Sequence, residues 1–290
     1  MNTRRPAFPA RLDEPDKPKN SALTQTSAAR SLPVAARMAN AGGAGLSARV
    51  NHRPAVPQGV DPRQKVQARA PAPQGLGLDS HAVRDRMVQK LAAQGVSDTL
   101  VLQAMGQVER HRFVEPALVG QAYEDTSLPI GLGQPISKPN VVARMIDLLH
   151  AGHSGRLGRV LEIGTGCGYQ AAVLSLVATE VYSMERLRGL HDKARENLRP
   201  LRLHNVHLLF GDGMLGYPKG APYAGIISAA GGEHVPQAWL DQLAVGGRLV
   251  APTVTPSGHQ ALVVIHKTEQ GFSRQVLEAV HFVPLKSGTQ

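Results

Sequence analysis

The most constraining feature of this sequence is a run of alternating glycines directly after an apolar stretch. Residues 160–169 read VLEIGTGCGY, which predicts a short buried strand that passes through a glycine turn into a helix. Glycine is needed there because the backbone takes angles that a Cβ resists, and because a ligand must approach the main chain closely. The dinucleotide fingerprint requires a glycine where Tyr169 stands. The pattern therefore predicts a ligand site unlike that of pyrophosphate binders, with a simple tight turn as the alternative.

Apolar runs and helical periodicities alternate after residue 158. Two late segments, 261–267 and 276–283, are candidate strands separated by a turn-like Glu-Gln-Gly. Strands that alternate with helices imply right-handed crossovers and a parallel sheet with helices on both faces, so the predicted fold class is α/β with a doubly wound sheet. The other predicted strands are 159–163, 180–184, 206–210, 223–227 and 248–251, and the predicted helices are 169–177, 186–198 and 236–243.

Helical periodicity also precedes the sheet. The stretch 113–139 is interrupted by prolines and glycines, and a loop of this length inside a compact domain is unusual unless it is functional. Around it, helices are predicted at 79–95 with a cap at Asp79-Ser80, at 97–108 with a cap at Ser97-Asp98, and at 141–149.

The first 78 residues differ in composition from the rest. They hold 12 Lys and Arg against 4 Asp and Glu, 10 of the 21 prolines and a single aromatic residue, Phe8. Such a segment cannot bury enough apolar surface to offset the entropy of ordering, so 1–78 is predicted to be a disordered, basic, Pro/Ala-rich extension. Residues 79–290 hold 20 basic and 18 acidic residues and are predicted to form one domain, with a helical part at 79–157 and an α/β core at 158–290.

Several classes of protein are excluded by composition. The single cysteine, Cys167, excludes an internal disulfide framework and a thiol-only zinc site. No run approaches the ~18 consecutive apolar residues of a membrane span, and no apolar core follows the basic N-terminus as in a secretory signal. The histidines have no acidic or thiol partners at metal spacing, so no metal site is expected. We expect a cytoplasmic protein without a membrane partner.

Acidic residues follow two further predicted strands. Glu185 lies 21 residues after Gly164, at the end of the second strand, where a carboxylate can accept both hydroxyls of a ribose. Asp212 follows the third strand, where it can accept from an adenine amino group. A helix N-terminal charge and an ordinary Asp-Gly turn are the respective alternatives. Three strand ends in register nevertheless predict one nucleoside site.

This combination of motifs resembles the class I S-adenosylmethionine-dependent methyltransferases. In that family the glycine loop faces the methionine part of the cofactor, and the absence of Lys or Arg from 164–168 suits a ligand without phosphates. The resemblance implies a Rossmann-like sheet and S-adenosylmethionine as the methyl donor, without a metal. It also implies cofactor contacts by Gln134, Ile136, Glu162, Gly164, Thr165, Gly166, Gly168, Glu185, Arg186, Asp212 and Gly213.

The segment 122–139, AYEDTSLPIGLGQPISKP, resembles the signature of the protein-L-isoaspartate O-methyltransferase family. Those enzymes methylate the free carboxylate of isoaspartyl residues, and in some cases D-aspartyl residues, in damaged proteins and so begin their repair. The resemblance covers about 80–286 and implies that damaged proteins and peptides are the substrates. It continues through RFV at 112–114, LEIGTG at 161–166, GDG at 211–213, GYP at 216–218, APY at 221–223, GGRL at 246–249 and FVPL at 282–285.

The chain departs from the family pattern beside the residue that matches the family's active-site serine, Ser137. The family usually has Gln-Thr-Ile-Ser-Gln-Pro, whereas Pro135 and Lys138 stand here in place of the threonine and the second glutamine. Proline removes a hydroxyl and a backbone donor, and Lys138 adds a charge that could attract acidic peptides. A hydroxyl is retained at Ser228, where threonine is common. Ser137 is the predicted catalytic residue, with capping of the helix after Pro139 as the alternative.

A peptide carboxylate has a pKa of about 3–4, so it is already ionised at neutral pH and requires no strong general base. We therefore expect catalysis by positioning and by replacement of water around the carboxylate, with Ser137 as a hydrogen-bond donor. A monomer that requires no nucleic acid is expected. The alternatives are a methyltransferase for another carboxylate-bearing small molecule, a binding module without turnover, and a separate nucleic-acid or partner-binding role of the basic extension.

Overall fold

The structure, a computed structural model, describes residues 81–290, so the predicted disorder of 1–78 and the cap at Asp79-Ser80 lie outside the described residues. Six α-helices and nine strands are found within that range. The helices are α1 (His81–Ala93), α2 (Thr99–Gln107), α3 (Pro139–His150), α4 (Tyr169–Val177), α5 (Arg188–Leu198) and α6 (Gln237–Gln242). The strands are β1 (Leu128–Gly131), β2 (Gln134–Ile136), β3 (Leu157–Ile163), β4 (Ala178–Glu185), β5 (Val206–Phe210), β6 (Tyr223–Ser228), β7 (Leu243–Val254), β8 (Gln260–Thr268) and β9 (Gly271–Ala279).

The main sheet has the strand order β5-β4-β3-β6-β7-β8-β9. The chain runs outward from β3 to β5 and returns on the other side of β3 with β6, so the strand order reverses between β3 and β6. The first five of these strands in spatial order are parallel. In open α/β sheets ligands bind beyond the carboxyl ends of the strands at such a reversal. The predicted doubly wound α/β fold is confirmed.

The expectation of a parallel sheet is wrong for its last two strands. Strands β7, β8 and β9 pair in antiparallel fashion. The reason is the length of the connections, because only residues 255–259 and Glu269-Gln270 join these strands, whereas a parallel crossover needs a dozen or more residues. The last strand also ends at Ala279 rather than at 283, which leaves the final eleven residues to run back toward the carboxyl ends of the parallel strands.

Both faces of the sheet are covered, as expected for a doubly wound fold. Neighbouring strand residues point to opposite faces, so Val160 packs into a core with side chains of α1 to α5. Leu161 packs into a second core, which contains Trp239 of α6. Trp239 is buried and donates from Nε1 to the Gly213 carbonyl at 2.8 Å, which connects this core to the strand end after β5. Among residues 81–290, no helix is long and apolar enough to cross a membrane.

The segment predicted to be a loop contains more regular structure than its prolines and glycines suggested. Strands β1 and β2 form a separate antiparallel hairpin, and two 3₁₀ turns, Arg110–Phe113 and Pro116–Gln121, precede it. The predicted cap of α2 is confirmed, because the Asp98 carboxylate accepts from the amides of Leu100 and Val101. Prolines are compatible with this hairpin because β1 and β2 pair only with each other, which leaves an edge on each strand.

Candidate functional site

A cavity of about 630 Å³ opens at the carboxyl ends of β3, β4 and β6. One side, the sheet wall, consists of residues that follow these strands, including Gly164, Glu185 and Ala229. The opposite side, the hairpin wall, consists of residues between Ile130 and Ser137. The cavity therefore lies between the predicted glycine turn and the predicted substrate segment.

The glycine turn has the backbone that the sequence predicts. Gly164, Gly166 and Gly168 have φ values of +90°, +57° and +92°, which side chains with a Cβ rarely adopt. The turn is tied to the neighbouring strand, because the Gly164 amide donates to the Met184 carbonyl at 2.8 Å. Gly164 and Gly166 line the cavity, whereas Gly168 is the N-cap of α4, and a Cβ at position 168 would lie 3.0 Å from Leu198.

Glu185 ends β4, and its carboxylate is buried at the rim of the glycine turn. One oxygen accepts from the Gly166 amide at 2.9 Å. The other accepts from the amides of Arg186 and Leu187, each at 2.9 Å. Glu185 therefore connects the two strand ends, while Glu185 and Arg186 both line the cavity. Carboxylate oxygens have further lone pairs, so these bonds leave Glu185 able to accept hydroxyl donors.

Glu162 lies beneath the glycine turn and does not line the cavity. Its side chain is fully buried and accepts a hydrogen bond from Ser183 Oγ, which in turn shares a hydrogen bond of 2.6 Å with Thr165 Oγ1. Burial raises the pKa of Glu162 to about 8, against the opposing effect of the hydrogen bond from Ser183. Both Glu162 and Thr165 therefore support the turn from inside the protein.

Asp212 and Gly213 follow β5. Gly213 lines the cavity, and a Cβ at this position would lie 2.5 Å from Ile163 Cγ2, so only glycine fits between the strand end and the cavity. The Asp212 carboxylate accepts from the Met214 amide at 2.9 Å and from the Gly288 amide at 2.6 Å. It is not among the described residues that line the cavity. Asp212 thus holds the last residues of the chain, several of which line the same cavity.

The hairpin wall presents Gln134, Pro135 and Ser137 to the cavity. Ile136 is buried in the core between them and does not line it. Ser137 is half-buried and makes no hydrogen bond to another described residue. The alternative role of Ser137 as a helix cap is wrong, because Lys138 occupies the N-cap position of α3 and Ser137 contributes no capping bond. The Ser137 hydroxyl is therefore available to a ligand.

The cap of α3 comes from a residue that the sequence reasoning did not single out. Asp125 Oδ1 accepts from the Asn140 amide at 3.0 Å, in the first turn of α3. This bond joins the start of the substrate segment to the helix that follows Ser137. Local caps pair a side chain with an amide two or three residues later in the chain. Asp125 lies fifteen residues before Asn140, so a local sequence pattern does not identify it as a cap.

Charge in the cavity is predominantly positive. Arg186, Arg188 and Lys286 line it together with one acidic side chain, that of Glu185. A basic lining raises the local concentration of anionic ligands such as a free carboxylate. No histidine is among the lining residues, and no group of His, Cys, Asp or Glu within 81–290 could hold a metal ion. Burial raises the pKa of the Cys167 thiol to about 11, which keeps it neutral.

The structure thus brings seven of the twelve predicted site residues to one cavity and leaves five outside its lining. Sequence reasoning missed several lining residues, among them 187–190 at the start of α5 and two further groups. Ala229 and Ala230 follow β6, and the same strand-end argument that found Glu185 could have found them. The segment 283–286 and Gln290 also line the cavity, and no sequence signal placed them there. The seven residues are Gln134, Ser137, Gly164, Gly166, Glu185, Arg186 and Gly213; the five are Ile136, Glu162, Thr165, Gly168 and Asp212.

Comparison with known proteins gives consistent matches over the domain. The family described as protein-L-isoaspartate(D-aspartate) O-methyltransferase matches residues 82–290. A protein-L-isoaspartate O-methyltransferase of Methylibium petroleiphilum is 61% identical over 224 residues, which are 76% of this chain and 83% of that protein. One of Leptothrix cholodnii is 59% identical over 218 residues, covering 74% of this chain and 77% of that protein.

Solved structures match the same part of the chain. A protein-L-isoaspartate O-methyltransferase structure has a TM-score of 0.63 and 28% identity, and the match covers 70% of this chain and 66% of that one. A Plasmodium falciparum structure of a beta-aspartate methyltransferase in complex with S-adenosyl-L-homocysteine has a TM-score of 0.60 and 24% identity. That match covers 70% of this chain and 98% of the other, and it supports the assignment of the fold.

Proposed function

The chain belongs to the protein-L-isoaspartate(D-aspartate) O-methyltransferase family, and from this membership we infer that it methylates the free carboxylate of isoaspartyl residues in damaged proteins. The methyl donor is S-adenosylmethionine. The observation that carries the proposal within the structure is that Ser137, which matches the family's active-site serine, lines the same cavity as the glycine turn.

The sheet wall fits the methyl donor. Gly164 and Gly166 lack the Cβ atoms that would project from left-handed backbone, which leaves the main chain open to a ligand. Glu185 offers buried carboxylate oxygens for the hydroxyls of a ribose, and Gly213 allows close approach at the next strand end. Glu162 and Thr165 act from inside by holding the turn. The donor, when bound, supplies an electrophilic methyl group on a sulfonium.

The hairpin wall and the basic lining suit the other substrate. We assign Ser137 Oγ–H as a donor to the isoaspartyl carboxylate or to the adjacent peptide group, because its hydroxyl has no other described partner. Arg186, Arg188 and Lys286 attract the carboxylate into the cavity. Ser137 is a positioning group and forms no covalent bond with the substrate.

Proton transfer is not needed at the carboxylate, which is ionised at neutral pH. The chemical task of the protein is to align the carboxylate oxygen with the methyl carbon and to replace water around it by fixed donors. The cavity has groups for this task and, among its described lining residues, no histidine that could act as a general base. The lining residues are therefore those that orientation of the carboxylate and exclusion of water require.

The test is methyl transfer from labelled S-adenosylmethionine to an isoaspartyl peptide and to its normal aspartyl isomer. We expect base-labile label in the isoaspartyl peptide alone. Label in neither peptide, or equal label in both, would refute the assignment. Transfer to a small carboxylate-bearing molecule with none to peptides would instead support the alternative methyltransferase.

We propose further that the enzyme acts as a monomer in the cytoplasm and requires no nucleic acid. The cytoplasmic assignment is supported by Cys167, a buried free thiol. Sedimentation analysis checks the first point, cell fractionation the second, and activity after nuclease treatment the third.

A further inference from the structure

One face of helix α5 contacts the two-stranded hairpin β1–β2 and holds it in place. Gly189 and Lys193 lie four residues apart in α5 and therefore on the same face of that helix. Lys193 contacts the hairpin at Ile130, and Gly189 contacts it at Leu132. We refer to Gly189 and Lys193 together as the α5 seat.

The first contact is a charge-assisted hydrogen bond to the main chain. Lys193 Nζ donates to the Ile130 carbonyl at 2.9 Å and also to the Glu115 carboxylate. Only 28% of the Lys193 side chain is exposed. Ile130 itself lines the cavity, and a Cβ on Gly166 would lie 3.2 Å from Ile130 Cδ1. The ammonium thus fixes the strand that lies over the glycine turn.

The second contact is at the tip of the hairpin. Leu132 has φ +52°, a left-handed conformation that costs energy for a residue with a Cβ. Its side chain reaches α5, where a Cβ on Gly189 would lie 2.9 Å from Leu132 Cδ1. Leu132 also lines the cavity. The absence of a side chain at position 189 is therefore what allows the tip to lie against α5.

We propose that the α5 seat sets the position of the hairpin wall, and that Lys193 is a positioning residue for methyl transfer. The residues that follow Ile130, among them Gln134 and Ser137, reach the cavity only when the hairpin lies in place. Leu128, Ile130 and Ile136 anchor the hairpin in the core. Because β1 and β2 pair only with each other in the described structure, the Lys193 bond adds a directional main-chain restraint that this apolar packing does not supply. The part of this inference that concerns turnover rests on the proposed function.

The experiment compares four variants of the full chain. Lys193→Met removes both bonds and keeps the aliphatic stem, Lys193→Arg keeps the charge and the donors, and Glu115→Gln removes only the ion pair. The control is Arg195→Met, on the same helix, whose side chain is 66% exposed. The readouts are hydrogen exchange of residues 128–136, the Kd of S-adenosylhomocysteine, kcat and both KM values, and Tm.

For Lys193→Met we expect about tenfold faster exchange in the hairpin and about tenfold weaker binding of S-adenosylhomocysteine. We also expect a higher KM for the peptide, with a Tm equal to that of Arg195→Met. Lys193→Arg should restore most of each value. Glu115→Gln should stay within twofold of the unmodified chain, because an exposed ion pair contributes little and the carbonyl contact remains.

Gly189→Ala tests the second contact independently. Alanine favours the helix more than glycine does, so Tm should not fall, while the added Cβ displaces Leu132 and speeds exchange of the hairpin about threefold. Faster hairpin exchange without a lower Tm would show displacement of the hairpin and not a general loss of stability.

Two results would overturn the inference. Hairpin exchange in Lys193→Met equal to that in Arg195→Met would show that the seat does not hold the hairpin. Faster exchange with unchanged Kd, kcat and KM would show a purely structural contact. If the unmodified chain fails to methylate isoaspartyl peptides, the proposed function is wrong, whereas exchange and S-adenosylhomocysteine binding still decide the role of the seat.

Discussion

The two walls of the cavity are built by different means. The sheet wall follows three adjacent parallel strands, and its glycine turn is tied to the next strand by the bond from the Gly164 amide to the Met184 carbonyl. The hairpin wall belongs to a two-stranded sheet whose tip, Leu132, is 62% exposed. The sheet wall inherits its geometry from the backbone pairing of the main sheet, whereas the hairpin wall is attached by side-chain packing and side-chain hydrogen bonds.

This difference suggests that the two walls bind different substrates. A wall fixed by the sheet suits recognition of one invariant molecule, the methyl donor. A wall held by contacts such as those of Lys193 and Asp125 can adjust to peptides of different sequence. Substitutions in the sheet wall should therefore change binding of the donor and stability together, whereas those in the hairpin wall should change turnover without a change in stability.

The largest effect is expected for Glu185→Ala. This change leaves the amides of Gly166, Arg186 and Leu187 without their acceptor and removes a carboxylate from the cavity. We expect the Kd of S-adenosylhomocysteine to rise at least ~100-fold, about 3 kcal/mol, with a lower Tm. Calorimetric titration measures the first effect. Glu180→Ala, a half-buried carboxylate on the same strand outside the cavity lining, is the control. A change below threefold in Glu185→Ala would show that Glu185 does not bind the donor.

Ser137→Ala should instead lower turnover without a change in stability or in binding of the donor. Loss of one donor to a charged carboxylate should lower kcat/KM for an isoaspartyl peptide ~30-fold, about 2 kcal/mol. Tm and the affinity for S-adenosylhomocysteine should not change, because the Ser137 hydroxyl has no described partner in the protein. Ser127→Ala, in the same segment and exposed, is the matched control. Equal kinetics for the two variants would remove Ser137 from the mechanism.

Glu162 gives the sheet wall a pH dependence of its own. Its pKa of about 8 in the folded protein exceeds the value of about 4.5 in the unfolded chain, so the folded state retains a proton that the unfolded state loses. The contribution of this group to stability is thus complete below pH ~4.5 and is lost as the pH rises toward 8, at about 1 kcal/mol per pH unit. Urea unfolding of the unmodified protein and of Glu162→Gln between pH 5 and 8 measures the difference, and parallel pH profiles would contradict the assignment.

The smallest effect is expected at Lys138, an exposed charge at the N-cap of α3. Lys138→Gln should lower kcat/KM for acidic isoaspartyl peptides two- to threefold at low salt, about 0.5 kcal/mol, and leave it unchanged at high salt. Lys90→Gln, an exposed lysine of α1, provides the control. If both variants match the unmodified enzyme at low salt, Lys138 does not attract the substrate.

Most of the sheet wall could be predicted from the sequence because its signals are local. A strand, a glycine turn and a helix are consecutive in the chain, and Glu185 follows the next strand at the expected spacing. The hairpin in 128–136 was missed because its pairing is only a few residues long and its prolines and glycines also occur in loops. Strand β8 was located, whereas β9 begins at Gly271 and overlaps the predicted 276–283 by only four residues. The antiparallel direction of both strands follows from their short connections, because a parallel crossover needs a longer one.

The sequence by itself determined the fold class, the glycine turn and the family, because strand-to-helix periodicity and left-handed backbone leave marks in consecutive residues. Only the tertiary structure decided which site residues face the cavity. Glu162 and Glu185 are both acidic residues near strand ends, yet one is buried beneath the turn and the other lines the cavity. Asp212 also follows a strand but does not line the cavity, because its carboxylate accepts from the Gly288 amide 76 residues away. Contacts over such separations depend on how the chain returns to the sheet, which no local pattern encodes.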